Sequence, residues 1–592
     1  MSGTRPQPPG GSPISDGPGR RGGDSGGDLA IVLHAHLPFV RHPENAYHLE
    51  ENWLYEALTA TYLPILQVLR EVQAEKARAS HGAGLPLRLT LSLSPPLCAM
   101  LRDPLLLSRY RAYSERLLRL GEEEVARSEG DPALRKLARF YVERFTALAA
   151  LFRAIDGDVL GAFGALQEAG CLDVITTCAT HGYLPVVREP AARRAQIAVA
   201  MRAYRGWFGR FPRGLWLPEC GYADGVDGLL AEHDLRYFFT DAHGLLYARP
   251  RPPLGLHAPI FTPAGVAAFA RDLDSSRSVW SATEGYPADP VYRDFYRDIG
   301  FDRPLSVIAP YIHPDGIRVS TGYKYHRVTG PRVDLADKAL YDPDIARARA
   351  HEHARDFVEK RRAQLLALAK RMDRRPILVS PYDAELFGHW WFEGPEFLRS
   401  VLRRLSGLHT PADDGAAASA SQTTPSTVEG IRLNTATGYL QDYPINAVCE
   451  PAPSSWGEGG YSAVWVDSSN DWIYRHVHRA EALLHELAAR HAGASDELLR
   501  RALNQLAREL LLAQSSDWAF IMKTGTAVKY ATDRIKSHLA RFQELARQIQ
   551  QIQARSAPGD AAAPPVSIDA DWLAELERRD NIFPDLDFRL YA

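Results

Sequence analysis

Two carboxylates stand out for their setting. Glu219 lies in "GLWLPECGY", residues 214–222, and Asp383 in "SPYDAELFGHWW", residues 380–391. Each follows a short apolar run and has tryptophan close by. Acids at the ends of two different strands can converge however far apart they lie in sequence. A converging pair can cleave a glycoside: with carboxyls about 5 to 5.5 Å apart, one attacks the anomeric carbon and the other protonates the leaving oxygen. The second must start protonated, whereas an unperturbed aspartic acid has a pKa of about 3.9. Burial and a neighbouring negative charge both penalise the charged form, and Tyr382, Phe387, Trp390 and Trp391 can bury Asp383. Taken singly, an acid is more often a helix cap or an ion-pair partner. Tryptophan at both strand ends favours the paired reading.

In "HAH", residues 34–36, both imidazoles project from one face of a strand, because side chains alternate with period two. Strands also present metal ligands as His-x-His, and His181 and Asp241 are candidate further ligands. Hydrogen bonding to sugar hydroxyls is the better use; for either histidine alone, a packed core is the plain alternative. Trp53, Trp216, Trp280, Trp390, Trp391, Trp456, Trp465 and Trp518 form the third group. Isolated tryptophans usually belong to a core. Trp456 and Trp465, in "PSSWGEGGYSAVW" at 453–465, sit in a Gly/Ser-rich stretch that suits a core poorly. Flat indoles there can stack on the C–H faces of sugar rings. "SSDWAF" at 515–520 sets Asp517 beside Trp518, where the carboxylate can accept from sugar hydroxyls or cap the following turn.

Several elements must position these residues. Short β-rich runs recur from Leu29: "DLAIVLHAH", "LRLTLSLS", "CLDVITTCAT", "GLWLPE", "RYFFTDAH", "GVAAFARD", "PILVSPYDAE" and "IRLNTATGY". Helix-like stretches separate them, so the fold class is α/β, with a parallel sheet covered on both faces. Most runs end in a polar residue (His34, His36, Thr180, His181, Glu219, Asp241, His243, Asp383), and the C-terminal strand ends of a barrel carry its active site. A barrel reconciles that many polar ends more easily than an open sheet. Residues 1–28 read as a disordered Gly/Pro/Ser tail and 29–450 as the barrel, with a helical insertion at about 100–170 and a low-complexity loop at 410–428. A C-terminal all-helical domain with a substrate-binding loop covers 451–555, and a linker and terminal segment 556–592.

The bulk properties exclude several function classes. Sixty-nine basic and 72 acidic residues, net −3, are mixed along the chain, which leaves no electrostatic footprint for nucleic acid or anionic lipid. Five scattered cysteines without a C-x-x-C pair argue against a disulfide framework or zinc finger. With no apolar leader and no run of eighteen apolar residues, neither export nor membrane spanning is expected. A cytoplasmic protein without metal or other cofactor is the expectation.

Taken together and in order, "HAHLPFV", "ATHGYLP", "GLWLPECGY", "SPYDAELFGHWWFEGP" and "SSDWAFIMKTG" resemble glycoside hydrolase family 57, in particular its 1,4-α-glucan branching enzymes. The resemblance runs from about Leu29 to about Tyr530. It implies a (β/α)7 barrel with a helical C-terminal domain and a retaining, metal-free double displacement on an α-1,4-glucan. Glu219 would be the nucleophile and Asp383 the general acid/base. His34, His36 and His181 would hold sugar hydroxyls, and Trp53, Trp280, Trp456 and Trp465 would line the cleft. Trp216, His389 and Trp390, from the two carboxylate motifs, and Asp517 complete the binding set. The chain departs from the family in two places. "NAYHLEENW" lacks one stacking tryptophan, with Tyr47 its nearest substitute, and the loop "DAHGLLYARPRPPLGL" is short and offers only Tyr247. A lid that excludes water favours transfer over hydrolysis, so some hydrolysis is expected. The alternatives are an α-amylase or 4-α-glucanotransferase on the same scaffold, a metal-dependent sugar hydrolase or deacetylase, and a silent glucan-binding protein.

Overall fold

A computed structural model describes residues 26–79, 87–281, 284–408, 428–555 and 567–592. The expected low-complexity loop, the linker near 560 and nearly all of the expected tail lie outside them. Nine strands occur among the described residues: β1 (Gly27–Ala35), β2 (Leu89–Leu93), β3 (Leu172–Ile175), β4 (Gly214–Trp216), β5 (Tyr237–Thr240), β6 (Ile260–Phe261), β7 (Ala267–Ala270), β8 (Ile377–Asp383) and β9 (Ile431–Leu433). All eight strand-like runs of the sequence contain one. Two-residue β6, antiparallel to β7, is too short to leave a periodic signal.

Seven parallel strands close into a ring. β3, β2, β1 and β8 form one continuous arc, and β4, β5 and β7 form the other. Single parallel bridges join the arcs, Thr176 to Leu215 on one side and Arg271 to Val379 on the other. At these seams Trp216 N–H donates to the Thr176 carbonyl at 2.8 Å and Asp272 N–H to that of Val379 at 2.8 Å. The result is the (β/α)7 barrel expected, with a helical C-terminal region. β9 lies outside the ring and pairs with Gly27–Leu29.

Alternation along β1 decides which way the histidines face. Ala30 and Val32 belong to the barrel interior with Ile175, Trp216, Phe239, Phe269, Ile377 and Val379. Leu29, Ile31 and Leu33 face the surrounding helices. His34 and His36 continue the inward phase past the end of the apolar run. In register, His34 stands level with Ser92 on β2 and Asp383 on β8.

Gly27 and Asp28, assigned to the tail by sequence, are the first residues of β1. Asp28 is fully buried, and its carboxylate accepts two bonds from Arg432 (2.9 and 2.8 Å), one from Arg375 (3.1 Å) and one from Asn434 (2.8 Å). That charge balance lets an acid open a buried strand; removing one partner of such a pair costs roughly 3–5 kcal/mol.

The helical insertion comprises Pro95–Met100, Pro104–Arg127, Pro132–Ala154 and Val159–Glu168. Asp103, Asp131 and Asp158 start the last three, each accepting from a backbone N–H of the first turn. Proline follows the first two, at the position where its missing N–H costs nothing. The C-terminal helices are Trp472–Arg490, Glu497–Ala513, Ser516–Thr524, Val528–Arg555 and Ala570–Arg579. The terminal segment is integral to this assembly: Arg508 donates to the carbonyls of Ile582 and Phe583, and Arg541 pairs with buried Asp580 at 2.5 Å.

Helix Asn52–Ala79 contains a π-helical turn at Leu58–Tyr62, which meets the turn after β8. Gly388 there has φ +115°, and a Cβ on it would lie 1.8 Å from the Ala60 carbonyl oxygen. Gly388→Ala is expected to destabilise the fold by about 2–4 kcal/mol, through strain plus backbone displacement. Gly228→Ala, in an open helical position, is expected to be neutral or slightly stabilising. Thermal denaturation of the two variants checks the contrast.

Candidate active site

Glu219 sits just past β4 with φ +60° and ψ +24°, and its neighbour Cys220 and His181 past β3 are also left-handed at φ +51° and +55°. Three such non-glycine residues at adjacent strand ends store strain that only surrounding structure can hold. Much of the restraint comes from outside the barrel. Trp456 N–H donates to the Glu219 carbonyl at 2.9 Å, its indole Nε1–H to Glu219 Oε2 at 2.7 Å, and Ser516 Oγ–H to Oε1 at 2.8 Å. The helical domain therefore aims the carboxylate.

The three histidines form a stacked cluster behind it. His34 Nε2 meets His181 Nε2 at 3.0 Å, His34 Nδ1 meets Ser92 Oγ at 3.0 Å, and His181 Nδ1 meets Ser516 Oγ at 2.8 Å. Burial first, then neighbouring imidazoles, hold His34 and His181 far below the ordinary histidine pKa, so both are neutral. Their tautomers follow. The Ser516 proton is given to Glu219, so Ser516 Oγ accepts from His181 Nδ1–H; His181 Nε2 accepts from His34 Nε2–H, and His34 Nδ1 accepts from Ser92. His36 differs: burial opposes its charge, but Asp517 at 2.9 Å, with Glu219 and Glu385, overrides that and raises its pKa. Burial likewise opposes the Asp517 charge, and His36 outweighs it and lowers the Asp517 pKa. These two form an ion pair between barrel and helices.

Asp383 ends β8 opposite. Its carboxyl has no hydrogen-bond or ion-pair partner among the described residues, and neither caps a helix nor pairs with a cation. Burial, then Glu385 and Glu219, push its pKa far above the usual range. Burial raises Glu219 to about 7, while Trp456 and Ser516 pull it back down. One acid thus has two donors and favours ionisation; the other has none and keeps its proton.

Exposure sorts the expected binding residues. Trp390 is 45% exposed and lies 6.5 Å from Trp280, which lies 6.3 Å edge-on from Trp456, giving a row of indoles that ends at Glu219. Trp53 is partly buried and stands apart from this row, edge-on to Tyr530 at 5.6 Å. His389 lies against Phe295, and burial, then Lys324 and Arg293, lower its pKa to about 3. The other expected residues are held by protein groups. Trp216 is 0% and Trp465 1% exposed; Trp216 stacks beneath His34 at 4.8 Å and Trp465 on Tyr183 at 5.0 Å, so neither offers a face to a sugar. His34, His36 and His181 have a protein partner at every ring nitrogen, Ser94 completing the set for His36 at 2.8 Å. Asp517 likewise holds His36 and neither caps a turn nor stands free. Tyr47 is engaged by Asn52, Arg116 and His313.

Asp241, a candidate ligand beside the histidines, pairs instead with Arg271 and with His243 at 3.3 Å. Among the described residues, the set of His, Cys, Asp or Glu atoms close enough to share an ion is Glu509, His538 and Asp580, remote in the helical domain. Arg541 reaches both of its carboxylates and Arg534 one, at 3.8 Å, so guanidinium groups face their charge. Sequence reasoning missed Ser92, Ser94, Ser516, Tyr62 and Glu385. Serine leaves little signal, but Glu385 sits inside the motif that marks Asp383.

A (β/α)7 barrel with two differently held carboxylates at its C-terminal strand ends and a row of indoles that ends at one of them has the build of a carbohydrate-processing enzyme. The glycosyl hydrolase family 57 description matches residues 30–331, and the 1,4-alpha-glucan branching enzyme C-terminal description matches 476–591. A 1,4-alpha-glucan branching enzyme of Thermococcus kodakarensis is 32% identical over 94% of this chain and 77% of its own. Among solved structures, the alpha-amylase AmyC of Thermotoga maritima is 41% identical with a TM-score of 0.84, covering 96% of this chain and 99% of its own. The GH57-type branching enzyme of Pyrococcus horikoshii is 31% identical with a TM-score of 0.78, covering 95% and 96%. The chain belongs to glycosyl hydrolase family 57.

Trp456→Phe removes the Nε1–H donor while leaving most of the ring. Because that bond favours the ionised carboxylate, the Glu219 pKa is expected to rise above about 7. The acid limb of the activity profile should move to higher pH, and the pH dependence of kcat/KM checks it.

Proposed function

We propose that this chain is a 1,4-α-glucan branching enzyme working by double displacement with retention. Glu219 attacks C1 of an α-1,4-linked glucosyl unit as Asp383 passes its proton to the departing 4-oxygen, leaving the donor chain as an ester on Glu219. Asp383, now ionised, takes the proton from the 6-hydroxyl of an acceptor glucan. That oxygen attacks C1, an α-1,6 bond forms, and Glu219 is released. The observation that carries this reading is the unlike setting of the two acids: Glu219 bonded by Trp456 and Ser516, Asp383 unbonded and pressed by two neighbouring carboxylates. Trp390, Trp280 and Trp456 supply the stacking surface. His34, His36, His181 and Asp517 keep Glu219 and the helical domain in place, and Trp53 and His389 contact the glucan further along.

Water competes with the 6-hydroxyl for the same ester. The short loop after His243 bears Tyr247, 57% exposed, and an α-amylase is among the similar solved structures. Hydrolysis therefore accompanies transfer, and linkage analysis of products after debranching separates the two. We take a cytoplasmic storage glucan as the substrate; all five cysteines are unpaired and buried, and no described helix is long and apolar enough to cross a membrane.

Glu219→Gln is expected to lower turnover by more than about a thousandfold while glucan still binds; unchanged turnover would refute the assignment. Stability supplies a second readout. Burial raises Glu219 from 4.5 to about 7, so between those values the folded chain holds more protons than the unfolded one. The contribution of this group to stability therefore falls as pH rises. Glu219→Gln should be at least as stable as the parent above pH 7, by thermal denaturation, whereas a merely structural carboxylate would leave a less stable protein.

A further inference from the structure

One carboxylate of the site has no part in the chemistry above. Glu385 lies two residues past Asp383, in the turn Ala384–Leu386 that follows β8, and is 8% exposed. The β1–β8 register sets His34 level with Asp383, so Glu385 falls at the level of His36. There the strand ladder has stopped, and the His36 N–H that would have met a backbone carbonyl donates to Glu385 Oε1 at 3.1 Å. Tyr62 OH, presented by the π-helical turn, donates to the same oxygen. The carboxylate is thus bound from two elements and held beside Asp383 in a water-poor site.

The charged and titratable groups around it can be named. β8 contributes Asp383, β1 His36, and the π-turn Tyr62, with Cys98 behind it. Glu219 faces Asp383 from β4. Asp517 reaches the group through its ion pair with His36, against which His34 and His181 stack. No arginine or lysine pairs with Glu385 among the described residues, so its charge is not cancelled by a permanent cation. Burial raises the Glu385 pKa to about 7, and Tyr62 and His36 hold it back.

We propose that Glu385 is a positioning residue whose carboxylate, held by Tyr62 and the His36 N–H, keeps the proton on Asp383 until the glycosidic oxygen takes it. The inference rests on the reading of Asp383 as the acid. Glu219 loses its charge on forming the ester, so its repulsion of Asp383 vanishes in mid-cycle. Glu385 takes no part in the covalent steps, so the charge it carries when ionised persists through both of them. It sets the residual basicity with which Asp383 then removes the acceptor proton.

The alkaline limb of kcat/KM, where the acid loses its proton, reports on this directly. Glu385→Gln preserves an acceptor for Tyr62 and His36 but deletes the charge; the limb is expected to move to lower pH by about one unit. Glu385→Asp keeps the charge and should leave the limb in place at a lower rate. Tyr62→Phe, which weakens the ionised form of Glu385, should give a smaller shift in the same direction and serves if Glu385→Gln does not fold. A limb unmoved in both Glu385→Gln and Tyr62→Phe, or moved equally in Glu385→Asp, overturns the proposal. Asp383→Asn is the separate control: if it stays active, the assignment of the acid itself fails.

Discussion

A relay of hydrogen bonds runs from Ser92 through His34 and His181 to Ser516 and ends on Glu219, and the geometry of the site depends on it. Each link is worth about 1 kcal/mol net, but leaving one buried member unsatisfied costs about 1–3 kcal/mol. The relay begins on β2, crosses β1 and β3, and passes into a C-terminal helix before reaching the residue at the end of β4. The Gly182–Ser515 bridge and the Ser516 N–H bond to the His181 carbonyl at 3.2 Å fix the point of transfer. Barrel and helices are therefore one functional unit: the barrel supplies the carboxylate, and the helices supply part of its orientation and the counter-charge of His36.

Much of this was legible in sequence because the same periodicity serves fold and site. Apolar runs ending in His34, Glu219 and Asp383 mark buried strands and also where those strands emerge. The tryptophans were harder to assign. Trp456, in a Gly/Ser-rich loop, reaches the carboxylate, yet Trp465 nine residues later packs on Tyr183, because the loop folds back into the main hydrophobic core. Trp216 is buried because β4 is only three residues long and its last side chain still points into the barrel. The serines could not be found at all, since a hydroxyl gains its meaning from what lies opposite it. Glu385 was visible, two positions from Asp383, but its role follows from a register match with β1 that only pairing reveals.

The site is also where the fold gives up stability. Glu219, Asp383 and Glu385 are carboxylates in surroundings that disfavour their charge, and Glu219 itself, Cys220 and His181 have left-handed backbones. Proteins hold such local conflicts where the surrounding packing over-determines the geometry. Asp28 at the opposite end of β1 shows the contrary solution, an acid fully compensated by two arginines and an asparagine. The acid that opens β1 is neutralised within the fold, whereas the acid that closes β8 is left without a partner.

The ring is made of two arcs that meet through one bridge on either side, and Glu219 belongs to one arc while Asp383 belongs to the other. Their spacing is therefore an inter-arc coordinate, sensitive to any hinge at Thr176–Leu215 or Arg271–Val379. Helices clamped over the first of these joints work as a spacer. Side chains beneath that clamp bear on how widely the two carboxylates stand apart.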